Sequence, residues 1–160
     1  MNNYCSILKS PIGDITIIAN DTAVTAISFG EKDTKDLVEN SISQLAAQQL
    51  NHYFEGELRD FMFPMAQNGT EFQQEVWQNL LKIPYAETLS YAKFSAHKPL
   101  AIRAIAAANG KNNLAIVVPC HRVIGSDGKL VGYAGELWRK KWLLQHEREV
   151  VQKGQTELKF

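Results

Sequence analysis

The sequence predicts an α/β protein in which a small antiparallel sheet with one covering helix is followed by a helical lobe. Three observations lead there. Short runs rich in Ile, Val and Thr, separated by turn residues, open the chain. A helical stripe of apolar side chains follows them. Beyond residue 70 the apolar spacing is helical again, and a tight turn joins two helices inside a basic stretch.

The strands are expected at residues 4–8, 15–19 and 24–29, with a turn at Ser10-Pro11-Ile12-Gly13. Leu37, Ile42, Leu45, Leu50 and Phe54 then lie on one helical face from Leu37 to about Glu55, ending near Gly56. Residues 57–69 hold a proline, a glycine and polar side chains, and read as the connection between two lobes, 1–69 and 70–160. Thr70 with Gln73 forms a capping-box signature for a helix that turns Phe72, Val76, Leu80 and Leu81 inward and stops at Pro84. Residues 88–91 introduce a short helix, His97-Lys98 a turn, and Pro99 a helix that ends at Gly110. This pair reads either as a plain helical hairpin or as a helix-turn-helix with 99–109 as recognition helix. That helix offers one long polar side chain, Arg103, among alanines and isoleucines, which suits close approach in a minor groove better than base reading in a major one. The apolar run 114–118 is expected to be a buried strand delivering Pro119-Cys120-His121-Arg122 at its end. Turns at 126–128 and 132–135 precede a last helix from about 136 to 150.

Formal charge is zero overall, yet it is unevenly placed: residues 1–81 carry 4 basic and 11 acidic side chains (net −7), and residues 82–141 carry 10 basic and 3 acidic (net +7). A positive segment of that size is what phosphate neutralisation requires. No apolar run is long enough to span a bilayer. The first residues lack a basic stretch followed by an apolar one, so a cytoplasmic protein with no membrane partner is expected. Cys5 and Cys120 have neither disulfide-framework nor chelate spacing, so free thiols and no metal are expected. The glycines include no G-x-G pair, and no cofactor site is expected. At this length nothing demands an oligomer, and a monomer is expected.

A cysteine at a strand exit can sit in the first turn of a short helix, where unpaired N–H groups favour the thiolate. As a nucleophile it also needs a base. His121 is the nearest in sequence, reached either directly or through a water, and Glu147 on the last helix is placed to fix the imidazole tautomer.

Phe72-Gln73, Val76-Trp77, Ile83-Pro84, Glu87 to Tyr91, Arg103-Ala104-Ile105, Ala108-Asn109, Val118 to Ile124, Gly132 to Gly135 and Lys140, Leu143-Leu144, Glu147 occur in this order with short gaps. Together they resemble the O6-alkylguanine-DNA alkyltransferase family, most strongly from Thr70 to Glu147. The resemblance implies an RNase H-like α/β roll followed by a helical lobe with a winged helix-turn-helix. It also implies repair of double-stranded DNA by single-turnover, irreversible transfer of an alkyl group from O6 of guanine, with O4-alkylthymine as a further substrate, after the base is turned out through the minor groove. By that resemblance Cys120 is the acceptor, His121 the water-mediated base, Glu147 its orienting carboxylate and Asn112 the brace of the active-site turn. Tyr91 rotates the backbone and donates a proton to the leaving guanine, and Arg103 fills the vacated stack. Lys98, Ala104 and Arg122 join Tyr91 and Arg103 at the DNA, and Tyr133, Ala134, Gly135 and Ala115 line the base pocket.

The physical logic agrees with this. A thioether offers water no carbonyl to attack, so a cysteine alkylated at a saturated carbon stays capped. Departures from the family pattern are Ala86 and Glu136 where glycine is frequent, Ala106, Asn113 in place of a proline, and Ala115 in place of a pocket-wall proline, which points to a roomier pocket. Ala86, Glu136, Ala106 and Asn113 are expected to be conservative or peripheral. Rival readings are a lesion sensor without transfer activity, against which Cys120 speaks, a cysteine hydrolase, and a sequence-specific transcription factor, poorly served by so apolar a helix.

Overall fold

A computed structural model of the chain describes residues 2–30, 33–130, 132, 133 and 135–157, with side chains to residue 154. It divides into two compact units, Met1–Asn68 with Asn113–Val117, and Gly69–Asn112 with Val118–Phe160.

In the first unit β1 (Tyr4–Ser10), β2 (Gly13–Ala19) and β3 (Val24–Phe29) form an antiparallel sheet in that order. The β1–β2 register, Tyr4 opposite Ala19 to Ser10 opposite Gly13, closes on the two-residue turn Pro11-Ile12, and Gly13, which leaves that turn, takes φ 101, a left-handed conformation that favours glycine. Ile15, Ile17 and Ala19 are fully buried. α1 (Ser41–Phe54) packs on β1 and adds Ala46, Leu50 and Tyr53 to the core. It starts later than the apolar stripe suggests because Asn40 caps it: its side chain accepts from Ser43 N at 2.8 Å, and Ser43 Oγ accepts from Asn40 N at 3.1 Å. Leu37 therefore lies outside the helix.

The outer edge of β3 is covered by two short segments. Val24 exchanges hydrogen bonds with Pro64 O and Ala66 N, both at 2.9 Å, so the expected connection is here part of the sheet edge. Ile27 N donates to Asn113 O at 2.8 Å and Ile27 O accepts from Ala115 N at 3.2 Å. The expected strand over 114–118 is absent: Leu114 makes one isolated bridge to Ile27, and the chain then turns. Ile116 sits at φ 71, which for a β-branched residue costs on the order of 1–3 kcal/mol. Its burial, at 1 % exposure, returns a similar amount, about 1.5–3 kcal/mol. An apolar run does not by itself distinguish a buried strand from a buried turn.

The second unit opens with α2 (Glu71–Leu80), whose capping box from Thr70 and Gln73 is formed as the sequence predicts. Gly69 precedes it because any Cβ there would overlap the Trp77 ring. Trp77 Nε1 donates to Ala108 O at 2.9 Å, tying α2 to the helix that carries Arg103. β4 (Leu89–Ser90) leads into α3 (Tyr91–Phe94), a single turn capped by Ser90. After the turn at His97-Lys98, a 3-10 turn over Pro99–Ala101 runs into α4 (Ile102–Gly110), which touches both α2 and α3. Cys120–Arg122 form a 3-10 turn, followed by β5 (Val123–Ile124), which pairs parallel with β4. α5 (Leu137–Glu157) is longer than expected, and Gly154 does not stop it. No helix among the described residues is long and apolar enough to cross a membrane.

Candidate active site

The geometry starts from α5. Lys140, Leu143, Leu144 and Glu147 recur at helical spacing and are all buried, so two charged groups face the interior of this unit alongside two leucines. Charges in such positions persist only when paired. Glu147 Oε2 meets His121 Nε2 at 2.7 Å and Arg122 NH2 at 3.1 Å, and its Oε1 accepts from Arg122 Nε at 2.9 Å and from Ala86 N at 3.0 Å. Burial alone would raise the Glu147 pKa, but the hydrogen bonds and charges of His121 and Arg122 win and hold it well below the usual carboxylate range.

An ionised carboxylate only accepts, so the shared proton sits on His121 Nε2 and the Nδ1 lone pair points away from Glu147. Nδ1 is buried and has no hydrogen-bond partner within the protein. Burial lowers the His121 pKa below its ordinary 6.5, outweighing the opposing pull of Glu147, so the ring is neutral at physiological pH. It is a base held in one tautomer with its accepting nitrogen unclaimed.

Cys120 begins the 3-10 turn and is partly exposed. The expectation that a helix start would favour its thiolate is corrected: the turn is three residues long, and burial pushes the thiol up from its ordinary 9.0. A hydrogen bond from Asn112 and the charge of Lys140 partly counter this. The resting group is therefore a protonated thiol. Asn112 Nδ2 also donates to Val118 O at 3.0 Å, tying together the two ends of the 113–117 segment.

Tyr91 O accepts from Asn109 Nδ2 at 2.7 Å, which leaves the phenolic proton free to be donated. Burial raises its pKa, the Asn109 bond opposes, and the charge of Cys120 raises it further, so the group stays protonated and lies within electrostatic reach of the sulfur. Tyr133 is pushed well above its ordinary value by burial first and Cys120 next, so its phenol also lies within electrostatic reach of the sulfur. Gly135 O accepts from Arg139 at 3.1 Å. Ala134 lies outside the described residues. Ala115 belongs to the other unit, where its N–H is used on Ile27.

Arg122, expected at the DNA, requires correction. It is 7 % exposed, its Nε and NH2 are engaged by Glu147, and NH1 donates to Ile83 O at 2.8 Å, which leaves it no way to reach a phosphate. Its motif position beside Cys120 reflects the buried carboxylate it neutralises. Arg103 and Ala104 are exposed on α4. Lys98 is exposed too, with Nζ 3.1 Å from Glu75 and 5.7 Å from the Phe72 ring centroid.

Two residues near the sulfur were not singled out from sequence. Asn109, buried at 4 % exposure, positions Tyr91. Lys140 is fully buried, with Nζ donating to Val123 O at 2.6 Å; burial brings its pKa down to about 8, against the pull of the Cys120 charge. The signal for both was present, a polar residue on the inward stripe of an otherwise apolar helix face.

A thiol, a neutral imidazole and a buried carboxylate, set beside a helix-turn-helix, define a protein that couples a cysteine nucleophile to a nucleic-acid-binding lobe. Comparison with known proteins makes this specific. The family described as 6-O-methylguanine DNA methyltransferase matches twice, its ribonuclease-like domain over residues 3–67 and its DNA binding domain over residues 71–149. The methylated-DNA–protein-cysteine methyltransferase of Methanosarcina barkeri is 45% identical over 152 residues, covering 90% of this chain and 96% of that one. The constitutive enzyme of Bacillus subtilis is 41% identical over 158 residues, 91% and 96%. The crystal structure of Mycobacterium tuberculosis O6-methylguanine methyltransferase superposes with a TM-score of 0.82 at 40% identity, covering 92% and 94%. The same protein in complex with DNA gives 0.83 at 41%, again over 92% and 94%. This chain belongs to the 6-O-methylguanine DNA methyltransferase family.

Proposed function

We propose that the protein is a methylated-DNA–protein-cysteine methyltransferase that repairs O6-alkylguanine in duplex DNA by moving the alkyl group to Cys120, once per molecule. The observation that carries this reading is the buried His121–Glu147 pair, with a neutral imidazole whose Nδ1 has no other partner next to a thiol that needs a base. The Cys120 proton passes to His121 Nδ1, directly or through one water. The sulfur attacks the saturated carbon, the S–C bond forms as the C–O6 bond breaks, and the electron pair leaves on guanine. Tyr91 gives its proton to the departing base and recovers one from His121, so the thiol proton ends on guanine. Asn112 holds the sulfur, Asn109 aims Tyr91, and Lys140 supplies a positive charge close to the forming thiolate.

The lesion lies inside the duplex, so the base must be turned out, and Arg103, exposed on α4, fills the space. Lys98, Tyr91 and Ala104 join it at the DNA, and Tyr133 and Gly135 line the pocket. O4-alkylthymine is the second substrate. The protein acts as a monomer and in the cytoplasm, where a free thiol stays reduced.

Mass spectrometry after incubation with duplex carrying O6-methylguanine tests the reading. Expected is one methyl on the peptide containing Cys120, in at most equimolar amount, with no transfer but retained DNA binding in Cys120→Ala. Repeated turnover, or an unmodified Cys120 after prolonged incubation under reducing conditions, would overturn it.

A further inference from the structure

The helix that carries Arg103 begins with an unsupported apolar side chain. Pro99–Ala101 form a 3-10 turn continuous with α4, and Leu100 within it is fully exposed. Singly exposed leucines are common and mean nothing alone. This one continues a pattern. Leu100, Arg103, Ala104, Ala107 and Lys111 are all exposed and recur at i, i+3, i+4, i+7 and i+11, one stripe of a single helical surface, while Ile105, Ala108 and Asn109 face inward. The stripe runs from Leu100 to Lys111, its methyl-sized middle, Ala104 and Ala107, lies between the cations Arg103 and Lys111, and Lys93 is exposed on the preceding helix. Small side chains flanked by cations fit a groove walled by phosphates and floored by sugar and base edges.

We infer that Leu100 is an apolar wedge that enters the DNA minor groove one helical turn ahead of Arg103 and holds the base step open while Arg103 occupies the vacated stack. This rests on the proposed action on duplex DNA and adds a residue that determines how readily the duplex yields its base. An exposed leucine loses no folded-state contact when it moves against a base step, whereas each phosphate-facing lysine must keep its charge near water. Apolar side chains at such positions unstack steps and bend the duplex toward the major groove.

The test uses the full chain and three variants, Leu100→Ala, Leu100→Lys and Leu100→Met. Each is assayed for methyl transfer to Cys120 from duplex and from single-stranded oligonucleotide carrying O6-methylguanine, and for reaction with free O6-benzylguanine. Leu100→Ala is expected to slow the duplex reaction about tenfold, in line with the burial of one leucine side chain. Its thermal midpoint, free-base rate and single-strand rate stay at the parental values. Leu100→Met restores most of the duplex rate, and Leu100→Lys does not, although it adds a cation. A 2-aminopurine beside the lesion brightens less with Leu100→Ala than with the parent. Duplex rates within twofold of the parent for Leu100→Ala, a gain with Leu100→Lys, or an equal loss on free base and duplex would each overturn the wedge while the alkyltransferase reading stands. A parental protein that leaves Cys120 unmodified on every substrate would overturn both.

Discussion

At the scale of single residues, burial holds the Cys120 thiol protonated, and the proposed route for its proton is the unclaimed Nδ1 of His121. The thiol sits above its ordinary 9.0 and the imidazole below its ordinary 6.5, so between these values the pair is in one protonation state, thiol with neutral imidazole. The population of the transient thiolate–imidazolium pair is then independent of pH, and the rate of transfer to Cys120 is expected to be level from about pH 7 to 8, to decline above pH 8 as Lys140 loses the charge beside the sulfur, and to fall on the acid side below pH 6.5. A rate rising tenfold per pH unit across that window would show that free thiolate reacts without His121. Glu147→Gln removes the charge that stabilises the imidazolium, so it should slow transfer by about 10²- to 10⁴-fold, the range of general-base assistance, and tilt the level profile upward with pH. A profile of unchanged shape would remove Glu147 from the proton path. Ala86 and Glu136, read from sequence as peripheral replacements of glycine, both lie at positive φ, 66 and 76, and Ala86 N holds Glu147 Oε1 at 3.0 Å. Ala86→Gly relieves a left-handed conformation worth roughly 1–2 kcal/mol and loosens the unfolded chain by somewhat less, so chemical denaturation should show a gain of up to about 1 kcal/mol. A loss would mean that Ala86 is not strained.

At the scale of elements, what the sequence revealed depended on whether a local signal and the tertiary environment agreed. The three strands, the Thr70 cap and the helix opened by Pro99 carry their own start and stop signals, and the structure has them where these predict. The start of α1 was misplaced because the Asn40–Ser43 box outranks the apolar stripe, and 114–118 was misread because buried turns and buried strands share a composition. In the candidate site, the pairing of His121 with Glu147 was legible from residue type, and the structure brings the two together at 2.7 Å, whereas the role of Cys120 rested on the resemblance. Arg122 was misassigned because a guanidinium inside a basic segment looks like a phosphate ligand until its partner, 25 residues away, is seen. α2 and α4 depend on one close approach, Gly69 against the Trp77 ring that donates to Ala108. Gly69→Ala should cost about 1–3 kcal/mol by overpacking, read as a lower urea midpoint with an unchanged slope. On α4 itself, Arg103→Ala should slow transfer from duplex DNA far more than reaction with free O6-alkylguanine, since only the duplex has a stack to fill. Equal losses would sink that role.

At the scale of the whole molecule, the buried ionic cluster sets how stability responds to acid. The folded His121 pKa is below the unfolded 6.5, so the unfolded chain takes up that proton first and stability begins to fall below pH 6.5. The folded Glu147 pKa is below the unfolded 4.5, so its contribution is intact above that value and drains away as pH falls further. Denaturant midpoints measured from pH 8 to 3 should therefore decline in two stages, the first below pH 6.5 and the second below pH 4.5, and a flat curve between pH 7 and 5 would contradict a neutral buried His121. Breaking the cluster from one side is costlier than either titration: Arg122→Met strands a buried carboxylate, with an expected loss of about 3–5 kcal/mol.

The ion pair between Glu75 and Lys98 at 3.1 Å, with His97 3.8 Å from the same carboxylate, has a bearing on affinity. If Lys98 meets DNA as proposed, it must exchange this internal anion for a phosphate, and Glu75 then competes with the backbone and weakens the grip on undamaged DNA. Replacing it with glutamine should tighten nonspecific association and steepen the log–log salt dependence by about one unit, the share of one additional released counterion.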